Sequence, residues 1–347
     1  IAKALIKLAI PIMGTSFVQM AYNMTDLIWI GRVGSTAVAA VGTAGFFTWL
    51  SVAFILLSRI GAEVCVAQSV GKKDIGSARE YVQASLQLNL FLATIYSSIL
   101  LVFRKTLIGF FNLGDAVIVE KAISYLVIVA LGLVFYFPNQ LFSGILNGYG
   151  DSKTPFKINS IGLFVNMILD PILILGIGPF PRLEVRGAAI ATITAQFIVT
   201  LFFLAKIKDH TLFKHLKLTE KVDFQNIGKI TYLGLPVALQ EGLFALVAMV
   251  LARIIANWGP VPIAVQKVGA QIEAISWLTA SGFSTALAAF VGQNCGAKKW
   301  DRIAKGYKIA FGIMISIGIG ATLLLYFGAG PIFSIFLRLS GKLHLRE

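Results

Sequence analysis

Charge is scarce in this chain: Asp, Glu, Lys and Arg together make up 13% of 347 residues. Two cysteines cannot build a disulfide framework, and Cys65 and Cys295 read as packing residues near helix ends. Only three histidines occur, His210, His215 and His344, and none stands in a His-Glu-x-x-His arrangement. Gly-x-Ser-x-Gly and the phosphate-binding Gly-Lys-Ser/Thr loop are also missing, which leaves no support for hydrolase or ATPase chemistry. Acidic residues number 16 against 30 basic ones, for a net charge of +14. Those cations are scattered over short loops and not gathered on one face, so nucleic acid is not an expected partner. No small-x-small exit follows the first apolar stretch, so it does not read as a cleavable signal.

What the chain has in abundance is apolar sequence, at 57% of positions, in runs longer than the ~20 residues that cross a bilayer. Nine spans are predicted: 8–31, 36–66, 81–103, 120–146, 156–176, 187–205, 227–257, 263–291 and 303–327. Loops on the N-terminal side of this pattern carry about twice the Lys and Arg of the opposite loops. The positive-inside rule therefore predicts a multi-pass protein of the cell (inner) membrane with a cytoplasmic N-terminus. The one long polar connector divides an N-terminal lobe, residues 1–208 with helices one to six, from residues 227–347 with helices seven to nine, the linker being 209–226.

The two halves repeat each other. Val66-Ala67-Gln68-Ser69-Val70-Gly71 returns 225 residues later as Val291-Gly292-Gln293-Asn294-Cys295-Gly296, and Leu8 and Pro11 return as Leu233 and Pro236. A duplicated bundle of membrane helices encloses a cavity between its copies, which points to a transporter. By that symmetry three helices after Phe327 are missing, and the polar stretch from Arg338 to Glu347 is not expected to span. The expectation is a fragment or a truncated gene product.

Ionisable groups inside a bilayer are costly, at least ~2.5–3.5 kcal/mol each, and so mark candidate sites. Asp26 lies late in the first span, and Asn166 and Asp170 are stacked one turn apart in the fifth. With Thr192 or Thr194 from the sixth they can form an all-oxygen pocket for a shared proton or a dehydrated hard cation, H⁺ or Na⁺. The competing structural reading makes Asp170-Pro171 a capped helix break and pairs Asp26 with the outer surface beside Arg32. Pro11 and Pro171 read as helix kinks, Pro11 alternatively as a harmless near-terminal residue. Arg59 and Glu63, four apart, read as a structural ion pair. Glu241, Arg253, Lys267 and Glu273 are intramembrane or nearly so, with Glu241 facing either a central cavity or the interface. Phe46, Phe47, Met167, Phe244 and Met249 suit either an adaptable cavity or ordinary packing.

Gly148-Tyr149-Gly150-Asp151 matches the end of a potassium filter and the Gly-x-Gly-Asp of intramembrane aspartyl proteases. Leu146-Asn147 stands where a filter needs Thr-Val, and Ser152-Lys153-Thr154-Pro155 places Asp151 in a loop.

Taken in order, Leu8 to Pro11, Tyr22 to Gly34, Val66 to Gly71, Gly148 to Pro155, Asn166 to Pro171 and Gly187 to Thr192 resemble the multidrug and toxic compound extrusion (MATE) family. The resemblance implies an all-α polytopic membrane fold of two pseudo-symmetric helical lobes, with about nine of twelve helices present. It implies an antiporter, not an enzyme, that exports amphipathic and often cationic drugs in exchange for H⁺ or Na⁺ by alternating access, with no cofactor beyond the coupling ion. Its ion site maps to Asp26, Asn166, Asp170 and Thr192, its helix-one bend to Pro11, and its substrate cavity to Gln19, Tyr22, Tyr136, Asn139 and Gln140. A second ion site in the C-terminal lobe is represented at most by Glu241 and Glu273, since Phe244 stands where some members carry a helix-seven Glu. Small organic cations, amphipathic drugs and membrane lipids are the expected partners of a monomer. The alternatives are a flippase for lipid-linked sugars in the wider superfamily, an inactive truncated transporter, and an aspartyl protease using Asp26 and Asp151.

Overall fold

A computed structural model describes residues 1–214, 221–256 and 260–344, with side chains described throughout except at 255–256, 260–273, 275–276, 324–325 and 328–344. Among the described residues the elements are helices: α1 (Ala2–Gly31), α2 (Ser35–Gly71), α3 (Ile75–Gly109), α4 (Ala116–Tyr149), α5 (Lys153–Leu175), α6 (Glu184–Ile207), α7 (Phe224–Ala256), α8 (Pro260–Gly296) and α9 (Trp300–His344). Eight of them carry windows long and apolar enough to cross a membrane among the described residues. The protein is a multi-pass membrane protein.

The helices overrun the predicted spans because polar caps lie outside the apolar windows. Asp74 accepts the Ser77 amide at 3.0 Å to start α3, and Asp115 accepts the Val117 amide at 2.8 Å to start α4. Gly150 and Gly176, both in the left-handed region, end α4 and α5. The Gly148-Tyr149-Gly150-Asp151 motif is thus a helix terminus: the Gly150 and Asp151 amides both return to the Leu146 carbonyl. One boundary differs from expectation. α9 does not stop at Phe327 but runs to His344, through Pro331 and the apolar Ile332-Phe333 and Ile335-Phe336-Leu337. Membrane helices tolerate proline where their other backbone bonds persist.

α2 is the axial helix, packing against α3, α4, α7 and α8. Glycines permit the closest of these approaches, since a Cβ on Gly61 would strike the Ile230 backbone of α7. The repeat is visible in the packing: α1 lies along α8, α7 lies along α2, and the repeated motifs at the ends of α2 and α8 meet each other. A Cβ on Gly71 would collide with the Gln293 carbonyl, and one on Gly296 with the Gln68 carbonyl. Gln293 also donates from Nε2 to the Gly148 carbonyl at 2.9 Å, bringing the end of α4 into the same junction.

The polar connector is less solvated than its composition suggests. Leu212 and Phe213 are buried in a cluster with Phe142 and Phe203, the Tyr149 and His210 rings lie edge to face at 4.8 Å, and Arg79 Nε donates to the Thr211 carbonyl at 2.9 Å. Residues 215–220 of the connector lie outside the described residues.

Candidate functional site

α5 packs against both α1 and α6, and the three helices bring the candidate ion residues together. Asn166 Nδ2 donates to Asp170 Oδ1 at 3.0 Å, the one-turn stacking that their spacing dictates. From α6, Thr192 Oγ1 donates to Asp26 Oδ2 at 3.2 Å, which brings Asp26 beside Asn166 and Asp170 without a direct hydrogen bond to either. Thr194 makes no such contact. Asn166 and Asp170 have no exposed surface at all. Three buried oxygens of the group lack any partner: Asp26 Oδ1, Asn166 Oδ1 and Asp170 Oδ2. Buried polar atoms are nearly always satisfied, so three orphan acceptors on one small cluster of residues are an anomaly that a cation would remove. Among the described residues no salt bridge reaches either carboxylate, and Arg32 is instead stacked over the Trp29 ring at 4.4 Å. Two carboxylates, an amide oxygen and a hydroxyl suit a proton or a hard cation.

The competing reading of Asp170 as a cap does not hold: α5 continues through Pro171 to Leu175. Asp151 precedes the first residue of α5 and accepts from the Thr154 amide and hydroxyl at 3.1 and 2.6 Å. α1 and α5 lie side by side, and Asp26 near the end of α1 meets Asp170 near the end of α5, so Asp26 and Asp151 are at opposite ends of the bundle. No protease dyad forms.

Next to the pocket, Tyr22 donates to the Thr192 carbonyl at 3.1 Å. A small, narrow cleft follows, lined by Thr15, Gln19, Tyr22, Asn159 and Gln196 among others. Gln19 and Tyr22 were expected there, while Thr15, Asn159 and Gln196 were missed. Their signal was present, since Asn159 lies two turns before Asn166 and Gln196 one turn after Thr192 on the same helices.

The α4 candidates divide. Asn139 is 1% exposed and holds α4 to α6: its Nδ2 donates to the Gln196 carbonyl and Oε1 at 2.9 and 3.0 Å, and its Oδ1 accepts from Thr200 at 2.9 Å. Gln140 instead faces Arg59 of α2, whose Nη1 donates to Gln140 Oε1 at 3.5 Å, with Tyr136 one turn away from Gln140 on α4. The expected Arg59–Glu63 ion pair is not formed. The salt bridges among the described residues are Lys121–Glu184 and Arg182–Glu184, and Glu63, 1% exposed, leaves both carboxylate oxygens without a partner. Arg59 is drawn to α4 by the space at Gly144, so the shared face that four-residue spacing provides does not bring the two groups together.

Glu241 accepts the Trp49 indole N–H at 2.9 Å across the α2–α7 seam, with Phe244 edge-on to the same indole at 5.9 Å. Glu273 and Lys267 lie outside the described side chains. Arg253 sits over the Phe110 ring at 4.9 Å. Phe47 and Met249 are core residues, whereas Met167 and Phe244 are exposed. α1 runs unbroken through Pro11, with Thr15 Oγ1 donating to the Pro11 carbonyl at 3.1 Å.

A family model, MatE, matches residues 11–172 and 236–339. The chain belongs to this family of membrane transporters and is not an enzyme. It is 28% identical to a probable multidrug resistance protein NorM of Thermotoga maritima, over 97% of this chain and 72% of that one. It is 26% identical to the probable multidrug resistance protein YoeA of Bacillus subtilis, over 94% and 72%. Among solved structures, an outward-facing multidrug resistance MATE family transporter of the MOP superfamily superposes with a TM-score of 0.87 at 25% identity, covering 99% of this chain and 75% of that one. A MOP superfamily transporter from Pyrococcus furiosus, described by the reverse polarity of its binding pocket, gives 0.83 at 25% identity, over 96% and 74%.

Proposed function

We propose that the protein is a secondary antiporter that exports amphipathic, often cationic compounds in exchange for H⁺ or Na⁺ bound among Asp26, Asn166, Asp170 and Thr192. The observation that carries this reading is the trio of buried, partnerless oxygens on two helices, one on α1 and two on α5. Filling the pocket neutralises the Asp26–Asp170 repulsion and draws α1 toward α5 and α6, whereas emptying it releases α1. A ligand shifts a conformational equilibrium only by its differential affinity for the two states, and this pocket supplies such a difference. Gln19 and Tyr22 line the adjoining cleft and are assigned to substrate, and Pro11 is assigned as the point where α1 bends. Residues 1–208 and 227–347 act as the two lobes, with the Lys72 and Lys298 ends facing the cytoplasm of a cell whose inner membrane holds the protein. The names of the multidrug relatives support the cargo class.

The test is efflux of a fluorescent cationic dye from proteoliposomes under separately imposed pH and sodium gradients. Asp26→Asn and Asp170→Asn should each abolish gradient-driven efflux while leaving the protein folded. Undiminished efflux by both variants rejects the mechanism. Transport of a lipid-linked sugar with no response to either gradient would favour the flippase reading instead.

A further inference from the structure

Arg59 is a membrane-embedded cation that forms no salt bridge among the described residues, Glu63 being its nearest charged neighbour on α2. Among the described side chains no carboxylate lies within salt-bridge distance of it, its Nη1 donates to the neutral Gln140 at 3.5 Å, and its Nε is buried with no partner. The side chain rests on Gly144, where an added Cβ would come within 2.6 Å of its Cγ and 3.3 Å of its Nε. The absent side chain at 144 thus makes room for the guanidinium against α4, next to the partly exposed Tyr136 and Gln140. Glu63, one turn further along α2, satisfies neither Arg59 nor itself. Intramembrane arginines almost always pair with an anion, and the planar guanidinium matches carboxylate and phosphate groups in particular.

We propose that Arg59, with Gln140 and Tyr136, binds an anionic group of the transported compound, so that the cargo includes amphipathic zwitterions or anions bearing a carboxylate or phosphate. This rests on the transporter reading above and narrows its substrate class. Arg59 supplies the fork of donors, Gln140 a neutral amide beside it, and the Tyr136 ring a face for the apolar body.

The test compares two dyes that differ only in one group: tetramethylrhodamine with a free ring carboxylate, and its methyl ester. Binding is followed by fluorescence anisotropy with the whole chain in phosphatidylcholine nanodiscs and no ion gradient. The wild-type protein should bind the free carboxylate about tenfold to a hundredfold more tightly than the ester, as expected for hydrogen bonds to a charged group. Arg59→Gln should remove the preference and Arg59→Lys should keep a weaker one. Equal binding of the two dyes by the wild type, or tighter binding of the ester, overturns the proposal without needing a variant. A preference that collapses in phosphatidylglycerol nanodiscs assigns the site to lipid phosphate and likewise overturns it. Because the readout uses no gradient, failure of ion coupling leaves this result intact, and failure here leaves the coupling test intact.

Discussion

Gly71 of α2 lies against the backbone of Gln293 of α8, and the same contact recurs between Gly296 of α8 and Gln68 of α2. Each pair is the other's image under the internal repeat. The two copies of the duplicated motif therefore close one end of the bundle upon each other, and only a residue without a side chain fits at either glycine. Clearing the path between the lobes at this end requires these contacts to separate.

Gly71→Ala should accordingly weaken the closed end by about 1–3 kcal/mol, the usual penalty for forcing a methyl into a filled contact. Spin labels at the exposed Lys72 and Lys298, on a background lacking Cys65 and Cys295, should report longer distances in Gly71→Ala and longer still in Gly71→Ala with Gly296→Ala. An unchanged distance distribution would show that closure does not depend on this contact.

Asn139 makes a different prediction from the one its resemblance suggests. Its side chain bridges α4 and α6 and is buried, so Asn139→Leu should lower thermal stability in detergent by about 1–3 kcal/mol, the cost of leaving Gln196 Oε1 without its donor and the Gln196 carbonyl with Thr200 alone. Binding of a dye by the surviving folded fraction should be little altered. A large loss of affinity with unchanged stability would instead return Asn139 to the substrate cavity.

The connector after α6 should respond to pH. Burial against Tyr149 and Phe213 is the main reason that the His210 imidazole lies below its usual 6.5, with Lys206 acting the same way and Asp151 opposing. Its Nδ1 accepts the Leu212 amide at 3.3 Å and must be unprotonated to do so. The folded segment binds its proton at lower pH than the unfolded one, so its stability is intact above 6.5 and declines as pH falls below that value. Hydrogen exchange at Leu212 and Phe213 should accelerate between pH 7.5 and 5.5 relative to the intrinsic rate, and His210→Phe should abolish the change.

Much of this molecule could be read from residue order because a bilayer leaves few choices. Backbone polar groups must be satisfied within helices, so each long apolar run became one, and the Asn166–Asp170 stack followed from helical spacing alone. Long-range geometry was less legible. The spacing of Arg59 and Glu63 is equally compatible with a pair and with what occurs, because a glycine on another helix decides it. Asn139 was misplaced for a similar reason: its partner, Gln196, comes from a helix whose rotation no local pattern specifies. The end of α9 escaped prediction because Gly328, Gly330 and Pro331 resemble a stop, yet the backbone continues through them.

α1 touches both repeats, with Asp26 against α5 and α6 near one end and Met13 pressed on Gly282 of α8 nearer the other. The thirteen-residue step between them is a rod of about 20 Å. Under the proposed ion binding, a change in what sits beside Asp26 would be delivered to the opposite repeat as a tilt of this rod. An ion that never reaches α8 would still be felt there, and the second half of the molecule would need no charge detector of its own.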